Sequence, residues 1–524
     1  MASRNKIFLG TFVHSKSRTE LEYLHDAAMC VDGSSGTIVH IERDFGSDHS
    51  PASIERLVSQ LGPSWASSSP SESGGGGGGG GDDGNSSHHR DGYDVVATEQ
   101  GQFFFPGFVD THIHAAQYPN AGLFGKTTLL DWLEEYTFPL EASLASDLPK
   151  AKRVYTTAVR RTLRNGTTTA AYYATIDVAA TNLLADVCLS LGQRALVGRV
   201  CMDERTVCPA YYRDESAEES LRRTVETVEH CARVDPTGRM VGPILTPRFA
   251  PSCSVESMRG LAALQRSRDL PVQTHVSENR GEISLVKKMF AGLEGATLEG
   301  DEDGGVSYPG VYDAVGLLTG RTILAHGVYL TEREAALVSA RGSKVAHCPC
   351  SNSALASGSA RVRWLWQHGI DVGLGTDVSG GYSASILEAA RQAALVSRVV
   401  AVAEAERRAG GEAETSKLTA QEVLYLATRG GAVVVGMEDR LGGFEVGMQW
   451  DAQLVGLGMV KEEEEEEEDG EDDDGNCDVF GWESWGERLE KWLYTGDDRN
   501  TKMVWVGGRL VHERRVKGRR SGCM

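Results

Sequence analysis

Two histidines one residue apart, His112 and His114, are the side chains whose type and spacing most directly indicate chemistry in this sequence. They belong to residues 106–117, Pro-Gly-Phe-Val-Asp-Thr-His-Ile-His-Ala-Ala-Gln, a pattern that predicts a buried strand. Side chains at positions i and i+2 of a strand point to the same face, so the two imidazoles converge. Two converging imidazoles are half of a zinc site, and the interpretation depends on whether the chain supplies further ligands.

Further candidate side chains follow other predicted strands, always at the carboxyl end. They are Arg248 and Phe249 after the fourth strand, His275 and Glu278 after the fifth, His326 after the sixth and Asp377 after the eighth. Taken singly, His275 or His326 would more often be a hydrogen-bonded core histidine, and Asp377 could cap the next helix. Taken together, in order along the chain, they favour one shared site.

Eight predicted strands that alternate with helical segments would position these side chains. The strands are 106–114, 167–173, 195–200, 241–246, 271–276, 322–325, 344–347 and 371–374. This alternation is typical of a parallel sheet, and eight repeats favour a closed (β/α)8 TIM-like barrel, whose functional side chains lie at the carboxyl ends of the strands. An open doubly wound sheet fits the count as well, but no Gly-x-Gly-x-x-Gly follows an early strand.

β-type patterns flank the predicted barrel at both ends of the chain. They comprise residues 7–13, 27–31 and 37–41 before it, and 442–447, 451–455 and 503–511 after it. We therefore expect an α/β fold in which residues 106–436 form the barrel, while 1–105 and 437–524 form a small composite β-sandwich domain. Within the flanking segments, 66–92 is predicted to be a disordered loop containing an eight-glycine run, and 461–476 an acidic loop.

The formal net charge of −21 is concentrated in the acidic loop. Residues 462–474 contain twelve acidic residues and no basic one, so the rest of the chain carries −21 + 12 = −9. A block of like charges repels itself and favours a solvated loop. An acidic surface also argues against nucleic acid or an anionic membrane as the main partner.

Three features of the sequence indicate where in the cell the protein is located. It opens without a signal-peptide pattern, and no apolar stretch of about 18 residues predicts a membrane-spanning helix. The ten cysteines are scattered, as is typical of reduced thiols in a cytosolic protein. We therefore expect a cytoplasmic protein with no membrane partner.

Several motifs together resemble the amidohydrolase superfamily and, within it, the guanine deaminases. The matching stretches are 106–114 with Gln117, 133–141, 201–203, 246–249, 274–279, 324–327, 347–349 and 375–377. They cover the whole predicted barrel, whereas the likeness is weaker in the terminal strands. The glycine-rich loop, residues 294–310 and the acidic tract are insertions that interrupt none of these motifs.

The resemblance implies one zinc ion per chain and a hydrolytic deamination. The implied ligands are His112, His114, His275 and Asp377. Three imidazoles and one carboxylate suit Zn²⁺ and leave a position for water, whose pKa the metal lowers to near neutrality. The implied reaction is attack of zinc hydroxide on C2 of guanine, which yields xanthine and ammonia. Glu278 and Asp377 would move protons, and His326 would stabilise the attacked centre.

Gln117, Arg248 and Phe249 are the implied substrate-binding residues, together with His275 and His326. Guanine presents O6 and N7 as two acceptors on one edge, which an arginine fork matches. Phe249 would pack on the ring, and Gln117 can both donate and accept. From spacing alone, Arg248 could equally form a structural ion pair. A homodimer is suggested by the resemblance only.

Two other functions stay open. The first is hydrolysis of a cyclic amide, or deamination of a different heterocycle, by another member of the superfamily. Two-metal members carry a modified lysine after the fourth strand, where this chain has residues 246–249 and no lysine, which favours one metal. The second is a catalytically inactive scaffold that binds partners through the acidic tract. Such relatives lose metal ligands, whereas every implied ligand is present here.

Overall fold

The computed structural model describes residues 4–62, 65, 87–90, 92–126, 129–298, 305–407, 416–460 and 476–514. The chain divides into two compact units, Met1–Gly107 with Asp439–Met524, here called the terminal unit, and Phe108–Glu438, the central unit. Most of the loops predicted at 66–92 and 461–476 lies outside the described residues. Among the helices that are described, none has the length and apolar character needed to span a membrane.

Strands occur along the whole described chain. They are β1 Asn5–Ser15, β2 Leu21–Val31, β3 Ile38–Glu42, β4 Ser87–Arg90, β5 Tyr93–Ala97, β6 Gln102–Pro106, β7 Phe108–His114, β8 Thr167–Tyr173, β9 Arg194–Gly198, β10 Val200–Cys201, β11 Val241–Pro243, β12 Thr246–Pro247, β13 Val272–Val276, β14 Thr322–His326, β15 Lys344–His347, β16 Val372–Leu374, β17 Ala452–Gly456, β18 Gly458–Met459, β19 Asp478–Val479, β20 Thr501–Val506 and β21 Arg509–Glu513.

Helices separate most strands of the central unit. The α-helices of the described residues are Pro51–Leu61, Leu129–Trp132, Phe138–Ser146, Leu148–Arg164, Val178–Leu191, Ala217–Val234, Val255–Arg268, Arg280–Met289, Tyr308–Val315, Glu332–Ala340, Pro349–Ala354, Val362–Gln367, Ile386–Arg407, Ala420–Tyr425, Gly431–Val434 and Trp485–Thr495. The helix predicted at 151–164 is confirmed. It begins earlier because the Asp147 side chain accepts a hydrogen bond from the backbone N–H of Lys150, which caps the first turn.

The terminal unit contains one nine-stranded sheet to which both ends of the chain contribute. Its order is β21-β20-β17-β6-β1-β2-β3, with β5 paired to β1 and β4 paired to β5. An aromatic core covers the sheet, and Trp450, which is fully buried, stacks on Phe8 at 4.0 Å and on Phe444 at 5.1 Å between ring centroids. These rings join the N-terminal and C-terminal segments into a single hydrophobic core.

Two expectations about the terminal unit were wrong. Residues 442–447 form bends and a turn instead of a strand, because Gly442 and Gly447 adopt left-handed φ angles of 88° and 100° that a strand does not accommodate. Within the predicted disordered loop, Ser87–Arg90 form strand β4, antiparallel to β5. Arg90 and Tyr93 are directly paired in this ladder, which brings the two strands into an antiparallel arrangement.

The central unit contains two parallel four-stranded sheets, ordered β11-β9-β8-β7 and β13-β14-β15-β16. Single parallel bridges, Leu245 with Val272 and Phe249 with His275, connect the fourth strand position to β13. The fourth predicted strand is divided into β11 and β12, and the break follows Pro243, which has no backbone N–H to donate to a ladder. The arrangement is α/β, with parallel strands and intervening helices.

The predicted strand that contains His112 and His114 is also divided. Residues 102–106 belong to β6 of the terminal unit, and β7 of the central unit begins after Gly107. The strand predicted at 106–114 is therefore confirmed only from Phe108 onward. Every residue of β7 is buried, which places Asp110 and both histidines of this strand in the interior.

Candidate active site

The four implied metal ligands lie together at the carboxyl ends of β7, β13 and β16. One ligand atom from each of His112, His114, His275 and Asp377 lies within 4.8 Å of the others. The Nε2 atoms of His112 and His114 are 3.3 Å apart, and they lie 3.2 Å and 3.3 Å from Oδ1 of Asp377. The structure thus brings side chains from widely separated parts of the sequence to one point.

Backbone contacts between β7 and the chain after β16 hold this cluster in register. Asp377 donates its N–H to the carbonyl of His112 at 2.8 Å, and His114 donates to the carbonyl of Val378 at 2.9 Å. Gly375 permits the close approach, because a Cβ there would lie 2.8 Å from Cβ of His112 and 2.9 Å from Sγ of Cys348. The glycine before Thr376-Asp377 is therefore a packing requirement of the site.

Asp110, which the sequence analysis did not assign a role, ties the two histidines to the last strand. Its fully buried carboxylate accepts hydrogen bonds from the N–H of His112 at 3.2 Å and the N–H of Thr376 at 3.0 Å. The Thr376 hydroxyl adds a third at 2.6 Å, and burial raises the pKa of Asp110 to about 7. Asp110 lies inside the motif that carried the resemblance, and this position was the available signal.

The protonation of the cluster fits a cation. Burial lowers the pKa of His112 to about 4 and lowers that of His275 well below its usual value, so both rings are neutral near pH 7. Burial alone would raise the pKa of Asp377, but His112 and its neighbouring imidazoles outweigh it and hold that pKa well below the usual range. Three imidazoles facing one carboxylate are a donor set that suits Zn²⁺.

His275 has an orientation that leaves one ring nitrogen for a ligand. Its Nδ1 lies 2.6 Å from the backbone carbonyl of Arg248, so Nδ1 carries the hydrogen and Nε2 keeps its lone pair. A second set, in which His326 and Cys348 replace His114 and His275, also lies within 4.8 Å. Burial raises the pKa of the Cys348 thiol well above its usual value, which makes it a poor ligand and favours the first set.

Three non-glycine residues at the site have left-handed backbone conformations. Ser277, His326 and Asp377 have φ angles of 50°, 75° and 47°. Such conformations cost about 1–3 kcal/mol each and occur where surrounding contacts enforce them, commonly at functional sites. Of these three residues, His326 and Asp377 line the pocket described below.

Glu278 and His326 face each other beside the cluster. Nε2 of His326 lies 3.5 Å from Oε2 of Glu278 and 3.7 Å from Oδ2 of Asp377, while its Nδ1 lies 2.9 Å from Oδ1 of Asn352. Burial would lower the pKa of His326, but the two carboxylates outweigh it and the pKa is raised. Burial raises the pKa of Glu278, whose Oε1 accepts a 2.7 Å hydrogen bond from Ser357.

Glu282 is a second buried acid beside Glu278 that the sequence analysis did not single out. It accepts hydrogen bonds from the N–H of Glu278 at 2.9 Å and the hydroxyl of Tyr308 at 2.6 Å. Burial and the adjacent Glu278 raise its pKa to about 7. Two carboxyl groups and an imidazole with raised pKa values form a group that can hold and move protons near neutral pH.

A pocket of about 440 Å³, open to solvent, connects this group to the predicted substrate-binding residues. The side chains that line it are His114, Gln117, Leu129, Trp132, Leu133, Arg248, Phe249, His275, Glu278, Glu282, His326, Leu355, Asp377 and Gly380. Apart from His112, which lies behind His114 in the cluster, every predicted site residue lines the pocket. An apolar wall of tryptophan, leucine and phenylalanine therefore faces a set of polar and ionisable groups.

Arg248 pairs with Glu141 inside the pocket wall. Nη1 and Nη2 of Arg248 donate to the two carboxylate oxygens at 2.7 Å and 3.2 Å, so both terminal nitrogens of the fork are already engaged. Nη1 also donates to Sδ of Met202 at 3.7 Å, whereas Nη2 keeps one further N–H hydrogen. From the sequence, an ion pair and a substrate contact were alternative roles for Arg248. The structure shows the ion pair, and Arg248 offers a substrate only the hydrogens that Glu141 and Met202 leave.

Comparison with known proteins places this architecture in a family. The sequence model described as the amidohydrolase family matches residues 103–511, well over half of the 524 residues. The chain belongs to the amidohydrolase family. The family assignment drawn from the sequence motifs is confirmed.

Relatives of this amidohydrolase cover most of its length. It is 46% identical to a probable guanine deaminase of Schizosaccharomyces pombe over 78% of this chain and 71% of that protein. It is 38% identical to the guanine deaminase of Homo sapiens over 96% of both chains. A crystal structure of guanine deaminase from C. acetobutylicum with bound guanine superimposes with a TM-score of 0.75 and 28% identity, covering 97% of this chain and 100% of that one.

These comparisons establish a TIM-barrel-type α/β fold for the amidohydrolase, which confirms that part of the predicted fold class. The family and the His/Asp cluster together indicate a metal-binding protein. The predicted site residues lie in or beside one shared pocket, and their individual roles are still predictions.

Proposed function

We propose that this amidohydrolase catalyses the hydrolytic deamination of guanine, in which guanine and water give xanthine and ammonia. The observation that carries the proposal is the single pocket in which the His/Asp cluster and Glu278 face Arg248, Gln117 and Phe249. Guanine deaminases 38% and 46% identical to this chain support it, and so does the guanine-bound neighbour.

We propose one zinc ion per chain, held by His112, His114, His275 and Asp377. The close grouping of these four donors supports one ion, and the raised pKa of the Cys348 thiol argues against the alternative ligand set that contains it. When bound, zinc supplies the Lewis acidity that makes water a nucleophile near neutral pH. The side chains of the pocket provide the remaining chemistry.

Glu278 is the proposed proton carrier. Its raised pKa allows it to take a proton, pass it to the purine ring and later deliver one to the departing amino nitrogen. Asp377 accepts the first proton from water, and its Oδ2 lies 3.7 Å from Nε2 of His326. His326, with a raised pKa, donates a hydrogen bond that stabilises charge developing at the attacked carbon.

Arg248, Gln117 and Phe249 are the proposed substrate-orienting residues. Arg248 donates its remaining N–H hydrogens to acceptors such as O6, because a guanidinium has donors and no acceptor. Phe249, which is 3% exposed, packs on the purine, and Gln117 completes the polar contacts. His275 and His326 line the part of the pocket where the amino-bearing carbon would lie.

We further propose that the central unit closes into a (β/α)8 barrel, predicted at residues 106–436, and that residues 1–105 and 437–524 form a composite β-sandwich domain. Support for closure comes from hydrogen bonds between the first and last strands, such as the Thr111 hydroxyl to the carbonyl of Leu374 at 2.9 Å. Support for the composite domain comes from the sheet shared by both ends.

A cytoplasmic location and a homodimer are proposals that rest on the sequence and the resemblance. The nine described cysteines are free and buried, as expected in a reducing compartment. Light scattering on the purified chain would test the dimer, which predicts twice the chain mass of 56.5 kDa.

Substrate choice tests the proposed function. Guanine, adenine, cytosine and 8-oxoguanine are supplied separately to the purified, zinc-loaded chain, and deamination is followed by ultraviolet absorbance. We expect kcat/KM for guanine to exceed that for adenine by at least about 10³-fold, because a pocket built around donor groups rejects an amino substituent. Turnover of adenine as fast as guanine would refute the assignment and favour another heterocycle.

A further inference from the structure

Glu141 is a buried carboxylate in the pocket wall to which neither the motifs nor the proposed chemistry give a task. It is fully buried and accepts four hydrogen bonds. The donors are Nη1 of Arg248 at 2.7 Å, Nη2 of Arg248 at 3.2 Å, Nε2 of Gln117 at 2.8 Å and the hydroxyl of Tyr212 at 2.6 Å. One carboxylate thus contacts two of the three side chains proposed to orient the substrate.

The contact with Arg248 fixes a charged group that would otherwise be costly in this position. Arg248 is only 2% exposed, and the stacked ring of Phe138 lies 5.2 Å from its guanidinium carbon. A buried charge needs a partner, and the bidentate pairing with Glu141 provides one and sets the plane of the guanidinium. Burial would raise the pKa of Glu141, but Arg248 outweighs it, so the carboxyl stays ionised.

The contact with Gln117 fixes the direction of an amide. A carboxylate only accepts hydrogen bonds, so the nitrogen of the Gln117 amide must face Glu141. The carbonyl oxygen then faces Ser379, whose N–H and hydroxyl lie 3.4 Å and 3.3 Å away. A reversed amide would place two oxygens against each other at Glu141. The direction of the Gln117 amide is therefore set by Glu141, through the shortest of these contacts at 2.8 Å, together with the backbone N–H of Ser379.

We propose that Glu141 is a positioning residue that determines substrate specificity by holding Arg248 and Gln117 in one hydrogen-bonding arrangement. The inference deepens the proposed function and rests on it. With Glu141 in place, Arg248 presents donors to an oxo group, and Gln117 presents a fixed amide. Without the carboxylate, the guanidinium plane and the amide direction are free to change, and discrimination between oxo and amino purines falls.

The test compares three variants of the zinc-loaded full chain, Glu141→Gln, Glu141→Asp and Glu422→Gln, with the wild type. Glu422 is a matched control, because it is also a buried acid, accepts a 2.7 Å hydrogen bond from Nη2 of Arg363 and does not line the pocket. The measurements are kcat and KM for guanine, kcat/KM for adenine, zinc per chain and the melting temperature.

We expect Glu141→Gln to raise KM for guanine by at least about 30-fold, since removal of one partner from a buried charged pair commonly weakens binding by this factor or more. The guanine-to-adenine selectivity falls at least about tenfold, while kcat changes less than KM and zinc per chain is unchanged. Glu141→Asp keeps the charge, and its KM for guanine should lie between those of the wild type and Glu141→Gln. Glu422→Gln lowers the melting temperature without moving KM or selectivity.

Unchanged KM and selectivity in both Glu141 variants would overturn the proposal, and so would an equal loss in Glu141→Gln and Glu422→Gln. If Glu141→Gln does not fold, the KM and selectivity of Glu141→Asp decide in the same way. A wild-type chain that leaves guanine intact refutes the proposed function itself, which separates that failure from failure of the positioning role.

Discussion

Replacing Glu278 with glutamine is expected to lower kcat for guanine by about 10²–10⁴-fold, the usual contribution of a general acid–base group. The amide keeps the shape of the side chain and can still accept the 2.7 Å hydrogen bond from Ser357. It cannot take up and release a proton at neutral pH. Because Glu278 is not among the proposed ligands, zinc per chain should stay near one while activity falls.

The variant Glu278→Asp provides the comparison, because it keeps an ionisable carboxyl but withdraws it by one methylene. Its activity should lie between those of the wild type and of Glu278→Gln. Near-normal kcat in Glu278→Gln would remove this residue from the proton transfers. Loss of zinc in the same variant would instead place Glu278 in the metal site.

Replacing Asp377 with asparagine should remove both metal and activity. Asp377 is the only carboxylate in the ligand set, 3.2 Å and 3.3 Å from Nε2 of two imidazoles, and asparagine has nearly the same shape without the charge. Its φ of 47° is a conformation that asparagine adopts readily, so the backbone need not change. Zinc per chain should fall well below one, and activity by at least about 10³-fold.

His347→Gln is a suitable control for this experiment. His347 is a buried histidine at the end of β15, and burial lowers its pKa to about 3, so the change alters no charge near neutral pH. It is not in the ligand set, and about one zinc per chain should remain bound. Full zinc content in Asp377→Asn would contradict the assigned ligands, and zinc loss in both variants would indicate a general effect of destabilisation.

The metal cluster could be predicted because its signals are local and periodic. His112 and His114 follow the two-residue period of a strand. His275 lies near the carboxyl end of β13, and Asp377 lies three residues after the end of β16. The parallel arrangement places all such strand ends on one side of the central unit. Strand positions and one shared site therefore followed from short sequence patterns, strengthened by the family motifs.

Glu141 and Asp110 could not be assigned in this way, because their partners are remote in sequence. Glu141 pairs with Arg248 across 107 residues, and Asp110 bonds to Thr376 across 266. An isolated acid in a sequence does not reveal which donor it will meet after folding. Glu141 accepts hydrogen bonds from both terminal nitrogens of Arg248. The sequence did not predict this pairing, because the two residues are remote in the chain.

Local conformation explains the errors in the terminal unit. Residues 442–447 contain Phe and Val at strand-like positions, but their glycines turn the chain and Phe444 enters the aromatic core instead. The helix Trp485–Thr495 was not predicted, although Ser484 and Glu487 form a capping box at its start. A search for the Ser-x-x-Glu pattern would have found it.

The most direct test of the proposed reaction is quantification of products. The purified, zinc-loaded full chain is incubated with guanine, and xanthine and ammonia are measured separately over time, with the metal-depleted chain in parallel. We expect equal amounts of xanthine and ammonia, formed only by the metal-loaded chain, together accounting for the guanine consumed. Guanine left intact by a chain that carries one zinc ion, or consumed without xanthine, would contradict the proposed function.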